Sequence, residues 1–238
     1  MIIVGHRGAR NEAPENTLES FEHAYTNGCR HFELDVQLSK DQQLIVFHDT
    51  TLKRTTGLRG RPVNFSAQQL AKMDARTNTP GWPTPCGIPT LSTLVTALPD
   101  VSHWQFEVKS DRRFRLRIVA EKLIAFIKDF NLEGRATITS SNHWFLKEVK
   151  RKSTETSIGL VAESRFYDPV KAAVSLGCDY LCLSNALVTS KRIANAKKQG
   201  LICSVWTVND TLRMTKLKSL DVDSVITDVP SLALKQKL

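Results

Sequence analysis

Short β-branched or aromatic runs alternate with amphipathic stretches almost from end to end of the 238-residue chain. The runs read as strands at Ile2–Gly5, His31–Val36, Leu44–His48, Trp104–Val108, Ala136–Thr139, Ser157–Leu160, Tyr180–Leu183, Leu201–Thr207 and Ser224–Thr227. Helical periodicity fills Thr17–Thr26, Ser66–Met73, Ser92–Leu98, Asp111–Phe130, Asn142–Lys152, Pro169–Leu176, Ser190–Gln199, Asp210–Leu220 and Ser231–Leu238. Asp168-Pro169 supplies an N-cap with proline in the first helical position, and Gly177 and Gly200 follow helices where a left-handed residue belongs. Strand–helix–strand repetition predicts parallel strands with crossover helices.

Nine strands are one too many for an eight-stranded barrel, and the surplus has a place. Only seven residues separate Val36 from Leu44, far fewer than the dozen or so that a parallel crossover takes. Leu44–His48 is therefore expected to return antiparallel to His31–Val36 around Ser39–Gln42, setting His48 opposite Glu33 or Leu34. The other eight strands predict a TIM-type (β/α)8 barrel, a fold suited to this chain length. The segment from about 50 to 103, with the breaker-rich stretch Thr77–Pro89, reads as a small insertion over one end of a single domain spanning 1–238.

Composition narrows the class. With 41% hydrophobic and 24% charged residues the chain is globular. No apolar run approaches the roughly 20 residues of a membrane span, and no secretory pattern opens it, so stable membrane insertion is not expected and the cytoplasm is. Five cysteines, odd in number and without zinc spacing, read as reduced buried thiols. A net charge of +9 suits anionic substrates or surfaces. Its arginines and lysines lie mostly on helical stretches without interleaved aromatic residues, which speaks against nucleic acid.

The chemistry concentrates on strand ends. Glu33 and Asp35, two residues apart, share one face of their strand while Phe32, Leu34 and Val36 share the other. Glu107 and Lys109 repeat the device. Three inward carboxylates form either a buried ion-pair network with Lys109 and Arg7 or, as two strands with the same pattern favour, a hard oxygen site for Mg²⁺ or Ca²⁺. His6 and His48 end two further strands beside this cluster and suit a general acid and a general base. Arg7 suits a phosphate oxygen, and Trp206 a pocket wall.

His6-Arg7-Gly8, Ala13-Pro-Glu-Asn-Thr17, Glu33-x-Asp35, His48-Asp49, Ile88-Pro-Thr-Leu91, Glu107-x-Lys109, Trp206-Thr-Val-Asn209 and Ile226-Thr-Asp228-x-Pro230 together resemble the glycerophosphodiester phosphodiesterase family in order and spacing, from residue 4 to about 233. The resemblance implies a TIM barrel with an insertion after the His-Asp motif. It also implies one divalent metal on Glu33, Asp35 and Glu107, acid–base histidines at His6 and His48, and phosphate contacts from Arg7 and Lys109. Glu15 would support the metal or His6 from behind, while Asn16 and Thr17 equally suit a helix cap. Gln42 departs from the family's usual glycine, and Ser92 and Thr93 from its usual acidic residues. The implied reaction cleaves a small glycerophosphodiester to sn-glycerol 3-phosphate and an alcohol, by attack of water or of the substrate's own hydroxyl, with either histidine as base. A lysophospholipase D variant would need an acyl groove, for which Phe65, Leu70, Met73, Trp82 and Ile88 are available. A non-catalytic barrel binding anionic lipid or nucleic acid is the distant alternative. Oligomeric state is open.

Overall fold

Alternation along one strand decides the architecture. In the computed structural model, which describes residues 1–236, the longest strand is β2 (His31–Leu38), with β1 (Ile2–His6) before it. Phe32, Leu34, Val36 and Leu38 enter the apolar layer beneath the helices, whereas Glu33 and Asp35 are buried on the barrel side. Hydrophobic transfer thus orients the strand, and the same orientation forces two carboxylates inward.

The ring continues through β4 (His103–Val108), β5 (Ala136–Ser140), β6 (Ile158–Ala162), β7 (Tyr180–Ser184), β8 (Ile202–Trp206) and β9 (Ser224–Thr227), with β3 (Leu44–Val46) left outside it. Neighbours run parallel in the order β1-β9-β8-β7-β6-β5-β4-β2, and the β1–β2 pairing closes eight strands into a barrel. The helices between strands are α1 (Leu18–Thr26), α5 (Arg113–Asp129), α6 (His143–Lys152), α7 (Pro169–Ser175), α8 (Ser190–Lys198), α9 (Thr211–Ser219) and α10 (Pro230–Lys235), with α2 (Lys53–Thr56), α3 (Ala67–Leu70) and α4 (Leu91–Ala97) in the insertion. The Asp168 side chain caps α7 ahead of Pro169, and Gly177 and Gly200 take left-handed φ of 68° and 76°. The helix expected over Ser231–Leu238 is α10, and Lys237 and Leu238 lie outside the described residues.

β3 is the antiparallel return, with Val36 opposite Val46. The ladder between β1 and β2 ends at His6 and Glu33, after which the Arg7 amide donates to the Glu33 carbonyl. Two residues further along β2, the Phe47 amide donates to Asp35. β3 therefore takes up the edge that β1 no longer covers. The strand is shorter than expected. Its register would set His48 opposite Leu34, but pairing stops at Phe47. The Gln37 side-chain Nε2 there donates to the carbonyls of Phe47, His48 and Asp49 at 2.8, 3.0 and 2.9 Å, turning the chain off the sheet. Gln42 holds the hairpin turn with φ 56°, a conformation glycine would adopt at less cost.

The insertion carries its own apolar cluster of Ile45, Phe47, Leu52, Ala67, Leu70, Ala75 and Ile88, with Phe65 and Met73 against it. Four of the five residues available for an acyl groove are thus occupied in packing, and Trp82 stands edge-on to His23 at 6.0 Å. All five cysteines are free and buried. Among the described residues no helix is long and apolar enough to cross a membrane.

Two glycines let β1 deliver its last residue. A Cβ on Gly5 would stand 2.3 Å from the Gly8 carbonyl oxygen, and one on Gly8, at φ 85°, would stand 2.6 Å from Ser20 Oγ. Gly5→Ala is expected to destabilise the protein by roughly 1–3 kcal/mol through overpacking. Urea unfolding measures this, and an unchanged midpoint would contradict the packing described.

Candidate active site

The turn leaving β1 is built from left-handed residues. Arg7 has φ 52° and Gly8 φ 85°; the first is uncommon for a side chain larger than glycine. Arg7 is held there by its guanidinium, whose Nη1 donates to Glu15 Oε1 at 2.7 Å while Nε lies 3.1 Å from Asp35 Oδ2. The next motif divides its labour. Thr17 caps α1 by accepting from the Ser20 amide, whereas Asn16, at φ 58°, sends its Nδ2 to Asp35 Oδ2 at 3.0 Å.

Both histidines are anchored at Nδ1 by a carboxylate. His6 Nδ1 lies 2.6 Å from Asp228 Oδ1, just beyond β9. Asn209 fixes that aspartate: its Nδ2 donates to Asp228 Oδ2 at 2.8 Å, and its Oδ1 accepts from the Asp228 amide at 2.9 Å. His48 Nδ1 lies 2.6 Å from Asp49 Oδ1, and Asp49 takes Arg54 Nε at 2.6 Å and Nη2 at 3.0 Å. Such partners set the tautomer and leave Nε2 to the cavity. Burial pulls the His6 pKa down, with the Asp228 bond opposing it. For Asp49, burial works upward, but the bonds from Arg54 and His48 outweigh it and hold the carboxyl below its usual range.

Glu33, Asp35 and Glu107 offer oxygens that all lie within 4.8 Å of one another. Asp35 faces Arg7 and, at 3.2 Å, Lys109 Nζ, which also donates to Glu107 Oε1 at 2.5 Å. Burial opposes the charge on Asp35, yet Arg7 and Lys109 prevail and keep its pKa below the usual range. Lys109 is kept charged in the same way, against its own burial, by Asp35 and Glu107. Glu33 differs. Neither of its oxygens accepts a hydrogen bond, His6 Nε2 stands off at 3.7 Å, and burial together with Asp35 and Glu107 pushes its pKa well up. Three carboxylates thus face two cations, with Glu33 left without a hydrogen-bond donor. That donor set fits a hard divalent cation.

Glu15 belongs to a different assembly. Besides Arg7 it accepts Arg54 Nη1 at 2.6 Å and Nη2 at 2.8 Å, and Asn78 Nδ2 at 3.0 Å. It reaches neither His6 nor the carboxylate cluster; it ties Arg7 to the insertion. These groups surround a cavity of about 620 Å³ that His6, Arg7, Glu33, His48, Glu107, Lys109 and Trp206 all line. Trp206 is oriented by its Nε1, which donates to the Cys182 carbonyl at 3.0 Å. Each catalytic, phosphate-binding and metal candidate, and Glu15, is at this cavity or one contact behind it. The sequence assigns no role to Asp228, Asn209, Asp49 or Arg54, and to Asn16 only that of a helix cap, which Thr17 takes instead. Asp49, Asn209 and Asp228 stood in recognisable motifs, whereas nothing in the sequence marked Arg54.

Residues 6–232 match the sequence profile of the Glycerophosphoryl diester phosphodiesterase family. A glycerophosphodiester phosphodiesterase of Caldanaerobacter subterraneus subsp. tengcongensis is 31% identical over 96% of this chain and 94% of its own. A glycerophosphodiester phosphodiesterase of Thermotoga maritima superposes with a TM-score of 0.80 at 27% identity, covering 99% of this chain and 98% of that one. A phosphodiesterase of Oleispira antarctica, solved with the product sn-glycerol-3-phosphate, superposes with a TM-score of 0.88 over 99% and 96% of the two chains. At 23% identity that last likeness concerns the fold alone.

The Glu15 hub has a measurable acid signature. Burial would raise its pKa, but Arg54 and Arg7 overcome that and bring it from 4.5 to about 2. A lowered folded-state pKa means that the stabilisation is fully present above the unfolded value and is lost as pH falls from about 4.5 through about 2. Glu15→Gln should cost about 3 kcal/mol at neutral pH, because buried Arg7 loses one of its two carboxylate partners. Thermal unfolding across pH should show the gap between variant and wild type closing toward pH 2; a gap independent of pH would refute the assignment.

Proposed function

The chain belongs to the glycerophosphoryl diester phosphodiesterase family, and from that membership and the cavity's chemistry we propose that it hydrolyses small glycerophosphodiesters to sn-glycerol 3-phosphate and an alcohol with His6 and His48 as the proton-transfer pair. The observation that carries this reading is that each histidine is locked at Nδ1 by its own carboxylate, Asp228 or Asp49, while both line the cavity that also holds Glu33 and Glu107.

One histidine takes the proton from the attacking hydroxyl and the other returns a proton to the departing alcohol. The nucleophile is water or the substrate's own glycerol hydroxyl. Asp228 and Asp49 position the two rings and stabilise each imidazolium while it carries the extra proton. Arg7 and Lys109 contribute fixed positive charge toward the phosphate. Both are already oriented by carboxylates, so little reorganisation accompanies substrate entry. Glu33, Asp35 and Glu107 would hold one Mg²⁺ or Ca²⁺, which when bound supplies further charge neutralisation to the phosphate oxygens. Trp206 walls the cavity. We place this chemistry on one barrel unit, residues 1–238 with the insertion at about 50–103, acting in the cytoplasm, where five buried free thiols are at home.

Hydrolysis of glycerophosphocholine, followed through released sn-glycerol 3-phosphate, tests the assignment. His6→Ala and His48→Ala should each lower turnover at least about a hundredfold with the thermal midpoint preserved; full activity in either would refute the pair. EDTA should abolish turnover, and adding back Mg²⁺ or Ca²⁺ should restore it. Asp228→Asn, which keeps the shape but not the charge behind His6, should lower kcat with little change in KM.

A further inference from the structure

One buried amide in the cavity is only half used. Gln105 on β4 is 2% exposed, yet it lines the cavity. It shares the inward face of its strand with Glu107, which stands two residues nearer the carboxyl end, and it pairs in register with Glu33 on β2. From β7, three strands around the ring, the buried Cys182 thiol donates to Gln105 Oε1 at 3.7 Å. No residue earlier than Glu33, Gln105 or Cys182 on these three strands lines the cavity, so they form its floor. The thiol fixes the amide with its oxygen engaged. Nε2 keeps both N–H groups and meets no acceptor among the described residues, Glu33 included. A donor held this way at a closed floor is satisfied only when a ligand or water brings it an acceptor.

The chemistry of that ligand follows from what the amide can do and from what lies above it. An amide nitrogen donates and cannot ligate a cation, and the oxygen that could is already engaged by Cys182. The missing partner is therefore an oxygen acceptor. It is not the phosphate. Arg7 and Lys109 gather at Asp35 and Glu107, which pair in register one layer higher, roughly 7 Å of strand above Gln105. A three-carbon chain extending down from a phosphate in that layer covers this distance and sets its terminal hydroxyl at the amide. The cavity also has a closed end and an open one. The His6 side chain is 8% exposed and that of His48 30%, and Thr50, Thr51 and Glu163 on the wall are exposed. The floor suits the glycerol, which is common to the whole substrate class, and the mouth suits the alcohol that varies.

We infer that Gln105 is a specificity-determining residue whose Nε2 donates to the terminal hydroxyl of the substrate's glycerol, the one farthest from the phosphate, with Cys182 orienting the amide. The inference rests on the proposed function and names the group by which the site tells a glycerol diester from one that lacks this hydroxyl. Discrimination arises because the wrong ligand leaves the buried donor unpaired.

Calorimetric titration with sn-glycerol 3-phosphate and with propane-1,2-diol 1-phosphate of matching configuration, in the presence of Mg²⁺, tests the contact. The second ligand lacks only the terminal hydroxyl. The unaltered protein is expected to bind sn-glycerol 3-phosphate at least about tenfold more tightly than the analogue. In Gln105→Leu the ratio of the two affinities should fall to about one, and in Cys182→Ala, where the amide can turn, to about threefold. Gln105→Met carries the same expectation as Gln105→Leu and decides the case if the leucine variant does not fold. The ratio of kcat/KM for glycerophosphocholine to that for its 2-hydroxypropyl counterpart should fall in parallel. That counterpart keeps the hydroxyl next to the phosphate-bearing carbon, so attack by water and attack by the substrate's own hydroxyl both stay open. A ratio near one in the unaltered protein, or a ratio preserved in the Gln105 variants because both ligands weaken equally, would overturn the inference. Failure of the catalytic reading shows separately, as absent glycerophosphocholine turnover in the unaltered protein, while the two affinities still decide what Gln105 binds.

Discussion

Burying the Glu33 carboxylate is the constraint around which the site is arranged. A carboxyl group removed from water, accepting no hydrogen bond and flanked by two further carboxylates, is unfavourable unless its surroundings compensate. Arg7 and Lys109 balance Asp35 and Glu107, but neither reaches Glu33 closely enough to hydrogen-bond it. The backbone of Arg7 bends into a left-handed conformation to bring its guanidinium to Asp35, and that bend is supported by Glu15, which in turn is held by Arg54. The buried Asp35 charge beside Glu33 thus anchors a chain of side chains reaching from the barrel interior to the insertion.

The same chain of contacts joins the two histidines' surroundings. Arg54 binds Asp49 behind His48 and Glu15 behind Arg7 with one guanidinium. His6 is set from the opposite end of the sequence, through Asp228 and Asn209, because β1 and β9 are neighbours in the closed ring. Closure is therefore a condition of the chemistry as well as of stability, since an open sheet would separate His6 from its anchoring aspartate.

Most of this was legible from period and spacing. The two-residue alternation in β2 and β4 placed Glu33, Asp35 and Glu107 inward, and the short connection after Val36 forced the antiparallel return. The extent of β3 was not legible. Its end is imposed by Gln37, whose amide bonds three carbonyls across the hairpin, and no propensity scale contains such a contact. Arg54 was not legible for a similar reason: only the fold brings Glu15 and Asp49 together around its guanidinium, and an arginine in a short helix ordinarily faces water. Glu15 was legible as a supporting residue, but its direct partners, Arg7 and Arg54, were not, since the sequence does not show which cations a carboxylate will reach.

The spare edge of β2 has a wider consequence. Most of a closed barrel offers no free strand on which to hang new structure. Here β2 outruns β1 by several residues, and β3 fastens to that overhang without entering the ring. Whatever follows β3 can lengthen, shorten or be remodelled while the eight-stranded wall stays intact. Variation in this part of the fold can therefore reshape what reaches His48 while leaving untouched the wall that holds His6, so the two sides of the cavity are free to diverge at different rates.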